Sequence, residues 1–172
     1  MYKLYYYPFN ASMAPHYILE HIGAEYELIL VDRKSEAQKS EEFLAINPAG
    51  RIPAFSDDTM VMFESPAICL HLAEIHPDAN LIPVIGDPDR ALFHQWLMFL
   101  TNTLQAELMV YFYPQKHTFN NDQIDDIRSK QEERITGFFE LLDKTLENRT
   151  YLVGDSISVC DYYLFMLAVW AA

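Results

Sequence analysis

Between Asn47 and Ile68 the chain sets out groups suited to holding a peptide-like ligand: Asn47-Pro48-Ala49-Gly50-Arg51-Ile52-Pro53-Ala54-Phe55, then Phe63-Glu64-Ser65-Pro66-Ala67-Ile68. Pro48 and Gly50 mark a turn. In Ile52-Pro53 the proline ring pushes Ile52 toward extended backbone, and an X-Pro bond is the one common place for a cis peptide. A cis bond would turn the Ile52 main-chain groups outward as an open edge; a trans bond would make Pro53 an ordinary strand opening. Ser65-Pro66 reads as a helix start, with serine as N-cap and proline at the first helical position. The free N–H groups and positive dipole end of such a helix favour a carboxylate, and Glu64 accepts from an ammonium group. Together they suit a zwitterionic amino-acid headgroup. The plainer reading is a capped helix beside a solvated glutamate.

The setting for these groups follows from composition. At 172 residues, half of them apolar, the chain is globular and long enough for one domain or two small ones. Twelve basic against twenty-five acidic residues give a formal charge of −13, which argues against a nucleic-acid partner or an anionic membrane surface. The start, Met1-Tyr2-Lys3-Leu4-Tyr5, lacks the apolar core of a signal peptide, and no run approaches a membrane span. A cytoplasmic protein is the expectation. Cys69 and Cys160 both sit in apolar helical context and read as buried thiols, not a disulfide. His16/His21 and His71/His76 are five apart, not the four that stack ligands on one helical face, so no metal site is expected.

The elements that must position the opening groups fall into two halves. Lys3 to Tyr7 is β-rich, Pro15 to Ile22 carries a helical pattern closed by Gly23, and Tyr26 to Val31 is a short apolar run typical of a buried parallel strand. A short helix ending near Asn47 follows the charged stretch Arg33 to Glu42. Ile52 to Phe55 and Met60 to Phe63 then flank Ser56-Asp57-Asp58-Thr59 as a hairpin. The helix from Ser65 repeats Ile68, Leu72 and Ile75 and stops at Pro77. The order β-α-β-α-β-β-α predicts a mixed sheet with helices on both faces.

From Pro77 to Pro88 the periodicity lapses, as in a linker. Beyond it the chain reads as a helix bundle. One stripe is Leu92, Trp96, Leu100 and Leu104, stopped near Pro114; a second helix runs from about Asn121 with Ile135, Phe138, Phe139 and Leu142. The last element begins at Ser158-Val159-Cys160-Asp161, a variant of the capping box in which serine and aspartate satisfy each other's backbone N–H.

Placed in this order, Leu4-Tyr5-Tyr6 with Ser12 and Pro15-His16, Phe43 to Pro48 through Ile52-Pro53, Glu64-Ser65, and Gly154-Asp155 with Ser158 to Asp161 carry a resemblance over the whole chain. The chain resembles the cytosolic glutathione transferase superfamily, most closely the bacterial beta-type enzymes. The resemblance implies a thioredoxin-like glutathione-binding domain over 1–77, a linker over 78–88, an all-helical domain over 89–172, and a homodimer. It also implies a cis Ile52-Pro53 bond, with Ile52 and Pro53 meeting the cysteinyl part of glutathione and Glu64 and Ser65 holding its γ-glutamyl end. Glutathione is then a co-substrate, with no tightly bound cofactor. Family members continue through further helices after the one ending at Trp170-Ala171-Ala172, so the second domain reads as incomplete.

Such an enzyme must draw a thiolate from a thiol whose unperturbed pKa is about 8.5. Hydrogen bonds donated to sulfur and the positive end of the helix starting around Ala14-Pro15 both serve that end. Beta-type enzymes carry a cysteine at the position matching Ala11, which forms mixed disulfides; Ala11 cannot. Ser12 is the first candidate for activating the thiol, Tyr6 the second and Asn10 the third, because each side chain is a donor. Helix capping is the alternative role for Ser12, and strand packing for Tyr6. Gln105 stands where beta-type relatives can present a histidine; it donates a hydrogen bond but shuttles no proton. Phe9, Met13, Tyr111 and Tyr113, with Phe112 between the tyrosines, are candidates for lining a pocket for a hydrophobic electrophile. Core or interface is the alternative for that cluster. Two functions follow: an enzyme conjugating glutathione to small electrophiles, or a non-catalytic binding or regulatory protein on the same fold.

Overall fold

The computed structural model describes all residues from Met1 to Ala172, in two compact units, Met1–Ile82 and Pro83–Ala172. The first unit contains β1 (Tyr2–Tyr6), α1 (Met13–His21), β2 (Tyr26–Leu30), α2 (Glu41–Ile46), β3 (Ala54–Ser56), β4 (Val61–Phe63) and α3 (Ser65–Ile75). The strands form one sheet in the order β2-β1-β3-β4. β1 and β2 run parallel with Leu4 opposite Leu28, a pairing that needs a crossover and receives it from α1. β1 and β3 are antiparallel with Leu4 opposite Phe55, and β3 and β4 close the hairpin.

Alternation along β1 sends its side chains to two different layers. Leu4 is fully buried, as are Ile18 and Leu19 of α1 and Ile68 and Leu72 of α3, and these two helices pack on each other. Tyr5 and Tyr7 join Val31, Phe43, Ile52 and Ala54 in a separate cluster, to which α2 contributes Phe43. The sheet therefore has helices on both faces, as the element order predicts. The hairpin loop is held by Asp57, whose Oδ1 accepts from Thr59 N–H and Oγ1, each at 2.7 Å, and from Met60 N–H at 2.8 Å.

Strand ends shift by a residue from the sequence reading, and three boundaries next to the site differ in ways that matter for it. α1 starts at Met13, two residues before Pro15, because Met13 N–H bonds the Asn10 carbonyl at 2.9 Å and proline is tolerated in a first turn that lacks N–H partners. β3 begins at Ala54, not Ile52, and includes Ser56. Glu64, not Ser65, occupies the N-cap of α3, in the left-handed region at φ +72°; Ser65 and Pro66 are the first two helical residues. Gly23, at φ +64°, does end α1: its N–H returns to the Glu20 carbonyl, and Ala24 N–H to that of Leu19.

The second unit is helical. α4 (Asp89–Met98) passes through a π-helical stretch, Phe99–Leu104, directly into α5 (Gln105–Phe112); α6 (Ile124–Leu146) and α7 (Val159–Ala171) complete it. The buried seam of the first long helix is Phe93, Leu97, Leu100, Leu104 and Leu108. Leu92 is exposed and Trp96 half-buried, so the first half of the sequence stripe lies one residue off; both rows have helical spacing, and only packing decides between them. α6 buries Ile135 and Leu142 and is preceded by a 3-10 turn over Asn121–Gln123.

The capping box of α7 is present. Asp161 Oδ2 accepts from Ser158 N–H and from Ser158 Oγ, each at 2.8 Å, while Oδ1 accepts from Leu152 N–H at 2.9 Å. Within the same unit Gly154 approaches Asp89 so closely that a Cβ there would lie 3.1 Å from its carboxylate. No helix is long and apolar enough to cross a membrane.

Candidate functional site

In the first unit the site residues are set by a turn, a loop and two helix starts. The Ile52–Pro53 peptide bond is cis. It follows a turn built around Asn47, which is 1% exposed: its Nδ2 donates to the Arg51 carbonyl at 2.6 Å, its Oδ1 accepts from Ala49 N–H at 3.0 Å, and its carbonyl accepts from Gly50 N–H at 2.9 Å. Gly50 sits at φ +60°, and a Cβ there would lie 3.2 Å from the Gln38 carbonyl, so both backbone and space call for glycine. The turn delivers Ile52 to the start of the interior strand β3 with its main-chain groups outside the ladder, where pairing of β3 with β1 starts at Ala54 opposite Tyr5.

The loop from Tyr7 to Ser12 joins β1 to α1. Ser12, 2% exposed, occupies the N-cap position of α1 but makes no capping bond with its side chain. Its hydroxyl instead donates to the Tyr7 carbonyl at 3.1 Å and accepts from Tyr7 N–H at 3.4 Å. One residue earlier, the Ala11 carbonyl accepts from Ser65 Oγ at 2.6 Å. These bonds bring the start of α3, the loop and the start of α1 together. Hydroxyls at both helix starts are turned onto loop carbonyls.

The other candidates in this unit are placed around that frame. Tyr6 ends β1, half-buried, with its carbonyl accepting from Val31 N–H at 2.9 Å; no hydrogen bond ties it to the serines. Asn10 Oδ1 is buried without a partner. Phe9 is 80% exposed at φ +52°, while Met13 is half-buried as the first residue of α1. Glu64 is exposed beside the first turn of α3. The Arg33 guanidinium stands over the Tyr7 ring, 5.8 Å from its centre.

In the helical unit Gln105 opens α5, and its Oε1 accepts from the hydroxyl of fully buried Tyr163 at 2.6 Å. That leaves the Gln105 amide N–H groups as donors. Tyr111 packs edge-on to Phe112 with ring centres 5.5 Å apart, and Lys116 Nζ lies 4.6 Å from the centre of the Tyr113 ring. Cys69 and Cys160 are fully buried and free, as the sequence reading has them. Burial pushes the Cys160 thiol up to about 12 and raises Cys69 further, so neither is a nucleophile near neutral pH. No group of three or more His, Cys, Asp or Glu side chains is gathered for a metal ion.

Sequence reasoning assigned no role to the Ala11 carbonyl, Asn47 or Tyr163. Only Asn47 had a local signal, an asparagine two residues before an N–H it can accept from, in a Pro-x-Gly turn.

A β2-β1-β3-β4 sheet with a cis-proline at the start of β3, followed by an all-helical unit, defines a two-domain class built on the thioredoxin-like fold. The family model for the glutathione S-transferase N-terminal domain matches residues 1–74, and that for the glutathione S-transferase C-terminal domain matches 103–172. The glutathione S-transferase GstA of Escherichia coli O157:H7 is 26% identical over 171 residues, 98% of this chain and 82% of the relative. Among solved structures, a sphingomonad glutathione S-transferase complexed with glutathione superimposes with a TM-score of 0.83 at 31% identity, covering 98% of this chain and 81% of that one. The beta-class glutathione S-transferase of Sphingomonas chungbukensis gives the same TM-score, 0.83, identity, 31%, and coverage, 98% and 81%. The chain belongs to the glutathione S-transferase family.

Proposed function

We propose that this glutathione S-transferase family member binds glutathione through its first unit and activates it as the thiolate for attack on small hydrophobic electrophiles. One observation carries the reading: the 2.6 Å bond from Ser65 Oγ to the Ala11 carbonyl gathers the starts of α1 and α3 at one loop. Two helix N-termini so arranged favour two anionic groups, a carboxylate and a thiolate. Ile52, presented by the cis bond to Pro53, pairs through its main chain with the cysteinyl residue. Glu64 receives the α-ammonium group, and the N–H groups of the first turn at Ser65 receive the neighbouring carboxylate.

The sulfur then lies at the start of α1. Ser12 is the first candidate to stabilise it, with Tyr6 and Asn10 behind. In the reaction the thiolate sulfur forms a bond to the electrophilic carbon, the leaving group departs with its bonding pair, and the thiol proton is released to solvent. Phe9 and Met13 offer apolar surface for the electrophile; in the helical unit Tyr111 and Tyr113 are the candidates for the same role, and Gln105 for a donor to glutathione. Ala11 removes the thiol that a mixed-disulfide route through that position requires. The working form we propose is a cytoplasmic homodimer.

A non-catalytic binding or regulatory protein on the same fold is the second reading, favoured by the Ser12 hydroxyl being committed to the Tyr7 carbonyl. Calorimetric titration with glutathione, followed by an assay with a chloronitrobenzene, separates the two. Binding with turnover supports the enzyme, while binding without turnover, or no binding to the folded protein, defeats the enzyme and leaves the second reading. Light scattering at micromolar concentration tests the dimer.

A further inference from the structure

We infer that Ser65 is a positioning residue for thiolate formation, acting through Ala11, in addition to any part in gripping the γ-glutamyl end. The inference rests on the reading that the glutathione sulfur lies at the start of α1. Ser65 is 3% exposed, and its hydroxyl has a single proton, which goes to the Ala11 carbonyl at 2.6 Å across 54 positions of sequence. A carboxylate ligand takes only donors, so this hydroxyl is not free to serve one while that bond stands.

The bond also fixes a peptide plane. In a trans peptide the carbonyl of one residue and the N–H of the next point in opposite directions. Holding the Ala11 carbonyl on Ser65 therefore turns the Ser12 N–H away from α3. The Ser12 N–H has no hydrogen-bond partner, although Ser12 is 2% exposed, and a buried N–H without a partner is rare. The Ser12 side chain cannot take its place while it donates to the Tyr7 carbonyl. The donor offered to sulfur is thus the Ser12 main-chain N–H, aimed by Ser65. A freed Ala11 carbonyl would allow the plane to rotate and bring a partial negative charge toward the thiolate.

Thiolate absorbance of the glutathione complex against pH tests this, at saturating glutathione fixed by calorimetry for each protein. Ser65→Ala raises the bound thiol pKa by about half a pH unit to one pH unit, the worth of one hydrogen bond, and Ser65→Thr restores the parent value. An unchanged thiol pKa in Ser65→Ala with weaker binding alone overturns the inference and leaves Ser65 a grip residue. A parent protein that does not bind glutathione, or binds it with an ordinary thiol pKa, overturns the functional reading itself, and the inference with it. Thermal unfolding accompanies each variant, and Ser65→Gly, which deletes the same hydroxyl, replaces the alanine variant if that does not fold.

Discussion

Ser12 and Tyr7 are bonded to each other twice, the serine hydroxyl donating to the Tyr7 carbonyl at 3.1 Å and accepting from the Tyr7 N–H at 3.4 Å. The pair closes the loop between β1 and α1 upon itself. A residue that looks in sequence like a helix cap or a catalytic donor thus works on the main chain of the loop between β1 and α1.

Replacing Ser12 by alanine leaves two part-buried Tyr7 backbone groups short of a partner. The variant loses about 1–3 kcal/mol of stability. Thermal unfolding measures that loss. Its glutathione thiol pKa rises and kcat falls with it, whichever Ser12 donor faces sulfur, because the loop itself is loosened.

Ala11→Cys places a thiol at the start of α1, where the helix N-terminus lowers a thiol pKa. Incubation with oxidised glutathione yields a mixed disulfide in the variant and none in the parent. Intact-mass measurement under non-reducing conditions reads it directly, and reduction reverses it.

Asp161 accepts three hydrogen bonds that tie Leu152 and Ser158 to the first turn of α7. Asp161→Ala leaves two N–H groups without their carboxylate and costs about 2–4 kcal/mol, toward the upper range for lost charged hydrogen bonds. Urea unfolding followed by tryptophan fluorescence reads the change, since Trp170 lies in the same helix.

Both cysteines are protected by burial. A thiol reagent at pH 8 labels neither in the native protein and both after denaturation. The alkaline limit follows from the same shift. The Cys160 thiol stays protonated in the fold up to about 12, against an ordinary value of 9.0, with burial the leading cause and the Asp161 charge the next. The unfolded chain therefore binds fewer protons above pH 9, and stability falls with rising pH. The contribution is complete below pH 9 and is lost progressively between there and about 12. Denaturation midpoints at pH 7, 9 and 10.5 measure the decline.

What could be read from sequence depended on how local each signal was. The Ser158 to Asp161 box, the Gly23 stop and the β-α-β opening are written within a few residues; the box and the stop form where the sequence reading has them, and the opening forms in the expected order with α1 starting two residues early. The seam through Phe93 and Leu97 was missed by one residue because the row through Leu92 and Trp96 has the same helical period, and the choice between them belongs to packing. The bond from Ser65 to Ala11 spans 54 positions and involves a main-chain carbonyl, a group every residue possesses. No pattern of residue types can announce it. The same holds for Tyr163 and Gln105, which meet from different helices. In the candidate site the residue types were legible, while the direction each hydroxyl faces was not.

Glu64 stands at φ +72°, a backbone region that glycine enters freely and a side chain enters at a cost of about 1–2 kcal/mol. A chain selected for stability alone would carry glycine at this position. If Glu64 receives the α-ammonium group as proposed, keeping a carboxylate there sets durability against ligand binding at a single residue. Drift under relaxed selection for binding should therefore erode position 64 early, and a glycine there in a descendant of this chain would mark a fold that has given up its ligand.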